Sequence, residues 1–260
     1  MKSRRFRFAF PCLLFYLLIT SLSVFHLLYE NNLDIVISSC NENLTWLPLY
    51  EFVLNPRNVF VYEKCKTTTS HFSFSTSTRM YLTLPNVGRE GHTWLHHMLR
   101  TDLIFSEYTL FLQGSPEVWL FQAFSALPSS SPSSSSSPPS TNFFRHQRPD
   151  SESHEVYEWM TQIDATGRCE TKTICERRLR EFWQRYKHPT KSDDFESTLW
   201  SLKGEMLLSS LHIVDFLASH GRPALTDLLD KLAATNNSFE GHLLERTWES
   251  MFMASPASSH

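Results

Sequence analysis

The segment LPNVGREGHTWLHHMLRTDLIFSEYTLFLQGSP, from Leu84 to Pro116, decides the fold because it joins a turn, a helix and a strand in one unit. Pro85, Asn86 and Gly88 break the chain just before a helix that we expect to begin near Arg89. The free N–H groups in the first turn of such a helix can hold an anion, here beside a guanidinium. The turn therefore predicts an anion site formed by Asn86, Gly88 and Arg89.

The strand at the end of this segment, YTLFLQ, is followed by Gly and Pro, so Gln113 lies at its C-terminal edge. Upstream, Asp34–Ser39 and Asn58–Tyr62 are short apolar runs rich in β-branched residues, with a segment of helical character between them. The next run, 71–78, is rich in Ser and Thr and predicts a loop. Because strands alternate with helical segments, we expect an α/β fold with a mostly parallel sheet flanked by helices.

The C-terminal part of the chain predicts helices and one returning strand, which begins at Glu205. Amphipathic patterns predict helices at 154–163 and 174–187, the second with a buried stripe of Leu179, Phe182, Trp183 and Tyr186. Further helices are expected at 211–219, 222–234 and 241–252.

The N-terminus has the pattern of a membrane anchor. Residues 1–7 hold four basic side chains, and residues 8–29 form an uncharged, mostly apolar run long enough to cross a bilayer core as a helix of about 20 residues. The positive-inside rule makes 1–7 a cytosolic tail and gives a single-pass type II protein with its bulk in the lumen of the endoplasmic reticulum or Golgi. A cleaved signal peptide is the alternative, with Ser21 and Ser23 as small residues, but the run exceeds the usual signal length.

We expect residues 30–253 to form a single luminal α/β domain, followed by a flexible tail at 254–260. Residues 128–153 begin as almost only Ser and Pro, which predicts a disordered insertion in a surface loop; a linker between two domains is the alternative. The net charge of −3 gives no support for nucleic-acid binding.

Four cysteines lie outside the expected anchor, an even number suited to an oxidising compartment: Cys40, Cys65, Cys169 and Cys175. If the first two strands are neighbours, Cys40 and Cys65 lie at their C-terminal ends and can pair. Cys169 and Cys175 bracket the start of a helix and are expected to form the second pair, although four cysteines allow three connectivities. The triplets at Asn43 and Asn236 are N-glycosylation sequons, consistent with luminal placement.

Several side chains of the opening segment carry two interpretations. Arg89 and Glu90 can bind a diphosphate and orient a hydroxyl, or they can form an internal ion pair that locks the turn. His92 and His96 have a spacing that suits a metal ion, but no third ligand is evident, so they are interpreted as core histidines with acid/base use of His92 left open. The amide of Gln113 cannot replace paired carboxylates, so no metal site is predicted.

The motifs NVGREGHTWLHH and FLQGSP resemble the domain-of-unknown-function family numbered thirty-four thirty-one. Weaker likeness extends to NENLTWL at 41–47, VYEKC at 61–65 and LLERTWESMF at 243–252. The order of motifs is in turn similar to GT-A glycosyltransferases, in which a strand enters an N-E turn and a later strand ends where those enzymes carry D-x-D. The resemblance implies a GT-A-like fold.

The same resemblance implies a nucleotide sugar as donor substrate, a glycan acceptor and no certain cofactor. Asn41 and Glu42 then contact the nucleotide, although capping of the next helix is the alternative for both. Arg89 steadies the leaving diphosphate, and Glu90 or His92 accepts the proton of the acceptor. A non-catalytic carbohydrate-binding or scaffold protein on the same fold is the second hypothesis, favoured by Glu249, which stands where family members often have a His.

Overall fold

The computed structural model describes residues 32–65, 78–116, 123, 125, 127, 142–145, 171–189, 203–234 and 239–252, and these form an α/β fold. The described strands are β1 (Leu33–Ser39), β2 (Asn58–Glu63), β3 (Thr78–Thr83), β4 (Tyr108–Gln113), β5 (Asn142–Arg145) and β6 (Lys203–Ser209). The described helices are α1 (Leu47–Leu54), α2 (Arg89–Leu99), α3 (Lys172–Tyr186), α4 (Ser210–His220), α5 (Arg222–Ala233) and α6 (Phe239–Phe252).

One sheet holds these strands in the order β3-β2-β1-β4-β6-β5. The first four run parallel, with Ser38 of β1 opposite both Tyr62 of β2 and Gln113 of β4. β6 runs antiparallel to β4 on one side and to β5 on the other. The mostly parallel sheet that the alternation of elements predicted is therefore confirmed.

The two faces of the sheet are covered differently because side chains along a strand alternate between them. On the α2 face, Val36, Phe60 and Phe111 pack with apolar side chains of α2 to α6. On the α1 face, Ile35 and Val61 pack with apolar side chains of α1, among other residues. The stripe predicted for α3 is buried at all four positions: Leu179, Phe182, Trp183 and Tyr186.

Two strands differ from what the sequence predicted. Thr78, assigned to a loop, begins β3, the edge strand beside β2. β5 lies inside the stretch 128–153 for which we predicted disorder, so that prediction does not hold for Asn142–Arg145. Its two Phe residues have the β-propensity that the Ser/Pro-rich neighbourhood lacks. The helix predicted at 154–163 lies outside the described residues.

Within the described part of the chain, no helix is both long enough and apolar enough to cross a bilayer. The predicted anchor at 8–29 and the tails at 1–7 and 254–260 lie outside the described residues.

Candidate functional site

The carboxyl edge of the sheet contains a topological switch point. From β1 the chain moves to β2 and β3 on one side, whereas β4 pairs with the other side of β1. Open α/β sheets bind ligands in the crevice that such a reversal leaves beyond the strand ends. Here the strands on either side of the reversal end at Ser39 and Gln113, and both residues belong to segments that the sequence had singled out.

A disulfide ties the ends of β1 and β2 together. Cys40 and Cys65 each follow the last residues of their strands, and their Cα atoms are 4.8 Å apart. The predicted Cys40–Cys65 pair is therefore confirmed. Cys175 in α3 is buried and disulfide-bonded as well, but Cys169, its predicted partner, lies outside the described residues.

The turn before α2 holds two successive residues in the left-handed conformation, Gly88 with φ +60° and Arg89 with φ +51°. A Cβ atom at Gly88 would lie 2.5 Å from the carbonyl oxygen of Leu232 in α5 and 2.7 Å from Cβ of His92. Only glycine fits this position. Arg89, whose side chain makes the conformation costly, marks local strain of the kind found at functional sites.

Lys64 is the residue of this edge that sequence reasoning missed. It follows β2 directly, is only 7% exposed, and its Nζ donates hydrogen bonds to the carbonyl oxygens of Val87 and Arg89. Burial lowers the pKa of its ammonium to about 8; the charge of Glu90 opposes this shift and that of Arg89 adds to it. Lys64 could have been found from its position in the sequence, because it closely follows a predicted strand and precedes a cysteine.

Arg89 and Glu90 form a loose ion pair at the start of α2. Nε of Arg89 lies 3.6 Å from Oε2 of Glu90, and the side chains are 31% and 25% exposed. The contact required by the ion-pair interpretation is thus present, but both side chains still reach solvent. Gly88, the N-cap, has no side chain, so the first turn of α2 has no side-chain cap.

The three histidines of α2 lie in different surroundings. His92 is 4% exposed, and its Nδ1 has no hydrogen-bond partner among the described residues. Its ring stacks on that of His96 with centroids 6.2 Å apart. His97 lies deeper, and its Nδ1 is 2.9 Å from the Tyr62 hydroxyl. Core histidines were the interpretation favoured by the sequence for His92 and His96; burial confirms it for His92, whereas His96 is only partly buried.

Burial also controls the charge of these rings. It lowers the pKa of His92 to about 4, with help from the positive charges of Lys64 and His96. It lowers the pKa of His97 to about 3, with help from Arg100. Both rings are therefore neutral at neutral pH. A base with a pKa near 4 is weak, which argues against His92 as the proton acceptor.

The free energy of unfolding should consequently fall as the pH drops below about 6.5, the ordinary pKa of histidine. In that range the histidines of the unfolded chain bind protons, whereas the buried rings of the folded protein stay neutral. Linkage gives a loss on the order of 2 kcal/mol for each of His92 and His97 between pH 6.5 and pH 5. Urea unfolding at both pH values measures it. His97→Asn keeps a partner for the Tyr62 hydroxyl but does not titrate, so it should lose about half as much; equal losses in variant and wild type would contradict this account.

The loop after β1 lies against the end of β4. Asn41 is exposed and left-handed, with φ +67°. Oε2 of Glu42 accepts hydrogen bonds from the Ser39 hydroxyl at 3.0 Å and from the N–H of Cys40. A Cβ at Gly114 would lie 2.6 Å from the same oxygen. Helix α1 begins only at Leu47, so neither Asn41 nor Glu42 caps it, and that alternative was wrong.

Glu205 is a second residue that the site prediction omitted. It is 2% exposed in β6, one position before Met206, which pairs with Phe111, and so reaches the carboxyl end of β4. Its charge, after burial, helps to raise the pKa of Tyr50 to about 12. It faces α1, on the opposite side of the sheet from Lys64. In the sequence, a single Glu within the otherwise largely apolar stretch GEMLLS could have indicated this residue.

The remaining predicted residues fall in three groups. Asn86 is exposed in the turn before α2, and Gln113 is partly buried at the end of β4. Asn43 is exposed in the loop after β1, whereas Asn236 lies outside the described residues. Among the described side chains, no group of three His, Cys, Asp or Glu residues is arranged to hold a metal ion.

Comparison with known proteins identified no relative of this chain. No family model matches the chain, and no curated protein matches it.

Proposed function

We propose that the chain binds a nucleotide sugar at the carboxyl edge of β1 and β4 and transfers the sugar to a glycan acceptor. One observation carries this proposal: two cationic side chains, Lys64 and Arg89, meet the first turn of α2, and the backbone of Lys64 is hydrogen-bonded to Ser39 at the end of β1. Helix N-termini and guanidinium groups both favour phosphate, and a nucleotide sugar presents two linked phosphates. The motif resemblance to GT-A glycosyltransferases supports the same class of ligand.

Each residue then has a role that its position allows. Arg89 and the first-turn N–H groups stabilise the diphosphate as it leaves. The exposed Asn41 and the loop held by Glu42 border the nucleotide, with Asn86 and Gln113 at the rim of the crevice. Glu90 accepts the proton of the acceptor hydroxyl, since its side chain is partly exposed and lies at the start of the same helix.

We further propose that the protein is a type II membrane protein of the endoplasmic reticulum or Golgi with a GT-A-like luminal domain. The Cys40–Cys65 disulfide fits an oxidising compartment, and the exposed sequon at Asn43 is accessible to modification there. The run at 8–29 supplies the anchor in this proposal.

The alternative is a non-catalytic carbohydrate-binding or scaffold protein. It is favoured by Glu42, whose Oε2 is engaged in its own loop, and by the low pKa of His92. Both residues then stabilise the edge of the sheet rather than take part in a reaction. In that case a sugar binds without turnover.

Arg89→Ala in the full-length chain tests the diphosphate site. A donor at 100 times its Kd should stabilise wild type by about 2.7 kcal/mol, and the variant should lose most of that gain. Because the Arg89–Glu90 pair is loose and partly exposed, its loss alone should cost on the order of 1 kcal/mol. Melting temperatures with and without a panel of nucleoside diphosphate sugars, each with chelator present, measure both effects.

Arg177→Ala is the matched control, because it removes an equally loose arginine pair, with Glu181, from the exposed surface of α3. Its donor-induced shift should equal that of wild type. If no donor shifts wild type while Arg89→Ala unfolds the protein, the ion-pair interpretation holds and the transferase proposal is lost. If a donor binds but is not turned over, the non-catalytic alternative stands.

A further inference from the structure

Lys64 occupies a fixed place between two parts of the proposed site. Its backbone N–H donates to the Ser39 carbonyl oxygen at 2.9 Å, which continues the pairing of β1 and β2 beyond the strands. Its neighbour Cys65 is bonded to Cys40, at the end of β1. The main chain that carries the ammonium therefore cannot move independently of the sheet edge.

The ammonium itself holds the turn before α2. It donates to the carbonyl oxygens of Val87 and Arg89, the residues on either side of Gly88. Gly88 and Arg89 are both left-handed, and for Arg89 this conformation is unfavourable without support. Two charge-assisted hydrogen bonds from one buried cation provide that support.

We propose that Lys64 is a positioning residue of the anion site: by holding the carbonyls of Val87 and Arg89, it orients the Arg89 guanidinium and the first turn of α2 toward a diphosphate. This inference rests on the proposed nucleotide-sugar function. It adds that binding depends on the protonation state of Lys64. The same ammonium contributes positive charge to the site, so binding of a diphosphate should favour its protonated form.

The charges around Lys64 determine the expected pH dependence. Glu90 and Arg89 act on it from the start of α2, and its own charge acts on His92, which also faces His96. On the strand side its neighbours Cys40 and Cys65 are disulfide-bonded and do not titrate. The pKa of Lys64 is lowered to about 8, whereas those of His92 and His96 are lowered from values already below that. Lys64 is therefore the group of this cluster that changes charge between pH 7 and pH 9.

Diphosphate affinity should thus fall by up to tenfold per pH unit above pH 8, where binding requires uptake of a proton. The probes are uridine diphosphate, guanosine diphosphate and inorganic pyrophosphate, titrated calorimetrically into the full-length chain from pH 6.5 to 9.5. Lys64→Met should bind at least tenfold more weakly at pH 7 and show no fall above pH 8. Lys64→Arg, which stays charged, should bind with little dependence on pH.

Lys187→Met is the matched control, because it removes an ammonium that lies over the Trp183 ring, 4.6 Å from its centroid, at the end of α3. It should leave the affinity and its pH profile unchanged. Should Lys64→Met bind the probes as tightly as wild type with the same fall above pH 8, the positioning role is wrong although the proposed function survives. If Lys64→Met does not fold, Lys64→Arg decides: a flat profile supports the role, and a retained fall overturns it.

A second measurement separates this inference from the proposed function. In the unliganded protein, loss of the Lys64 charge should raise the pKa of His92 in an NMR titration, and the amide resonances of Gly88 and Arg89 should shift. If wild type binds none of the probes, the proposed function fails. The contact of Lys64 with the turn is then judged on this titration alone, and an unchanged His92 pKa with unshifted amides overturns it.

Discussion

Gly88→Ala should destabilise the protein by about 2 to 5 kcal/mol, since an alanine pays for the left-handed backbone and is overpacked against α5. The added Cβ would lie 2.5 Å from the Leu232 carbonyl oxygen, which belongs to a helix backbone and cannot rotate away. A loss of this size is a large fraction of the 5 to 15 kcal/mol that usually holds a domain together. Urea unfolding of the full-length variant measures the loss.

Gly91→Ala is the matched control for Gly88→Ala because it adds the same methyl group three residues further along the chain. The new Cβ would lie 2.8 Å from Cδ2 of Leu244, the far end of a flexible side chain, and the backbone of α2 is helical there. We expect a change within about 1 kcal/mol, since alanine also favours the helix. Equal losses in the two variants would show that the α5 backbone does not restrict Gly88.

Removal of the Cys40–Cys65 disulfide is expected to have the other large effect. The bond closes a loop with a sequence separation of 25 residues, for which the chain-entropy relation gives a loss of about 3.5 kcal/mol. For a domain of this size that corresponds to a fall of roughly 10 °C in Tm. The double variant Cys40→Ala with Cys65→Ala tests it by thermal unfolding.

The control for the disulfide variant is wild type treated with a reductant. Cys175 is disulfide-bonded too, so reduction should destabilise wild type at least as much as the double substitution does. Alkylation and mass spectrometry of the folded proteins establish which thiols are free. A double variant that melts within about 2 °C of wild type would mean that the loop between β1 and β2 is already ordered without the bond.

The sequence predicted the centre of the sheet well and its edges poorly. β1, β2 and β4 are buried apolar runs, so composition alone marks them, and α3 carries a four-residue stripe that only one face of a helix can bury. β3 is an edge strand of partly buried residues, which a Ser- and Thr-rich neighbourhood hides. β5 is four residues long and gains its place only by pairing with β6, a long-range contact that no local pattern records.

Some residues of the candidate site could be predicted from the sequence and others could not. Gly88, Arg89 and Gln113 were found because turn residues and strand ends have local signatures. Lys64 was not found, because a lysine is ordinarily exposed and its role depends on a turn more than twenty positions away in the chain. The charge state of His92 and His97 could not be predicted from the sequence either. It depends on burial of the rings near Lys64 and Tyr62 and not on the spacing of the histidines.

The position of β6 has a consequence for how the chain assembles. β1, α1 and β2 are consecutive and the disulfide closes them, so this unit can form as soon as Cys65 has been synthesised. β4, in contrast, pairs on its outer side with β6, which arrives much later in the chain. Until then β4 presents an open strand edge, the kind of surface on which nascent chains aggregate. Retention by chaperones during synthesis should therefore end only when Ser209 has been made and β6 has paired with β4.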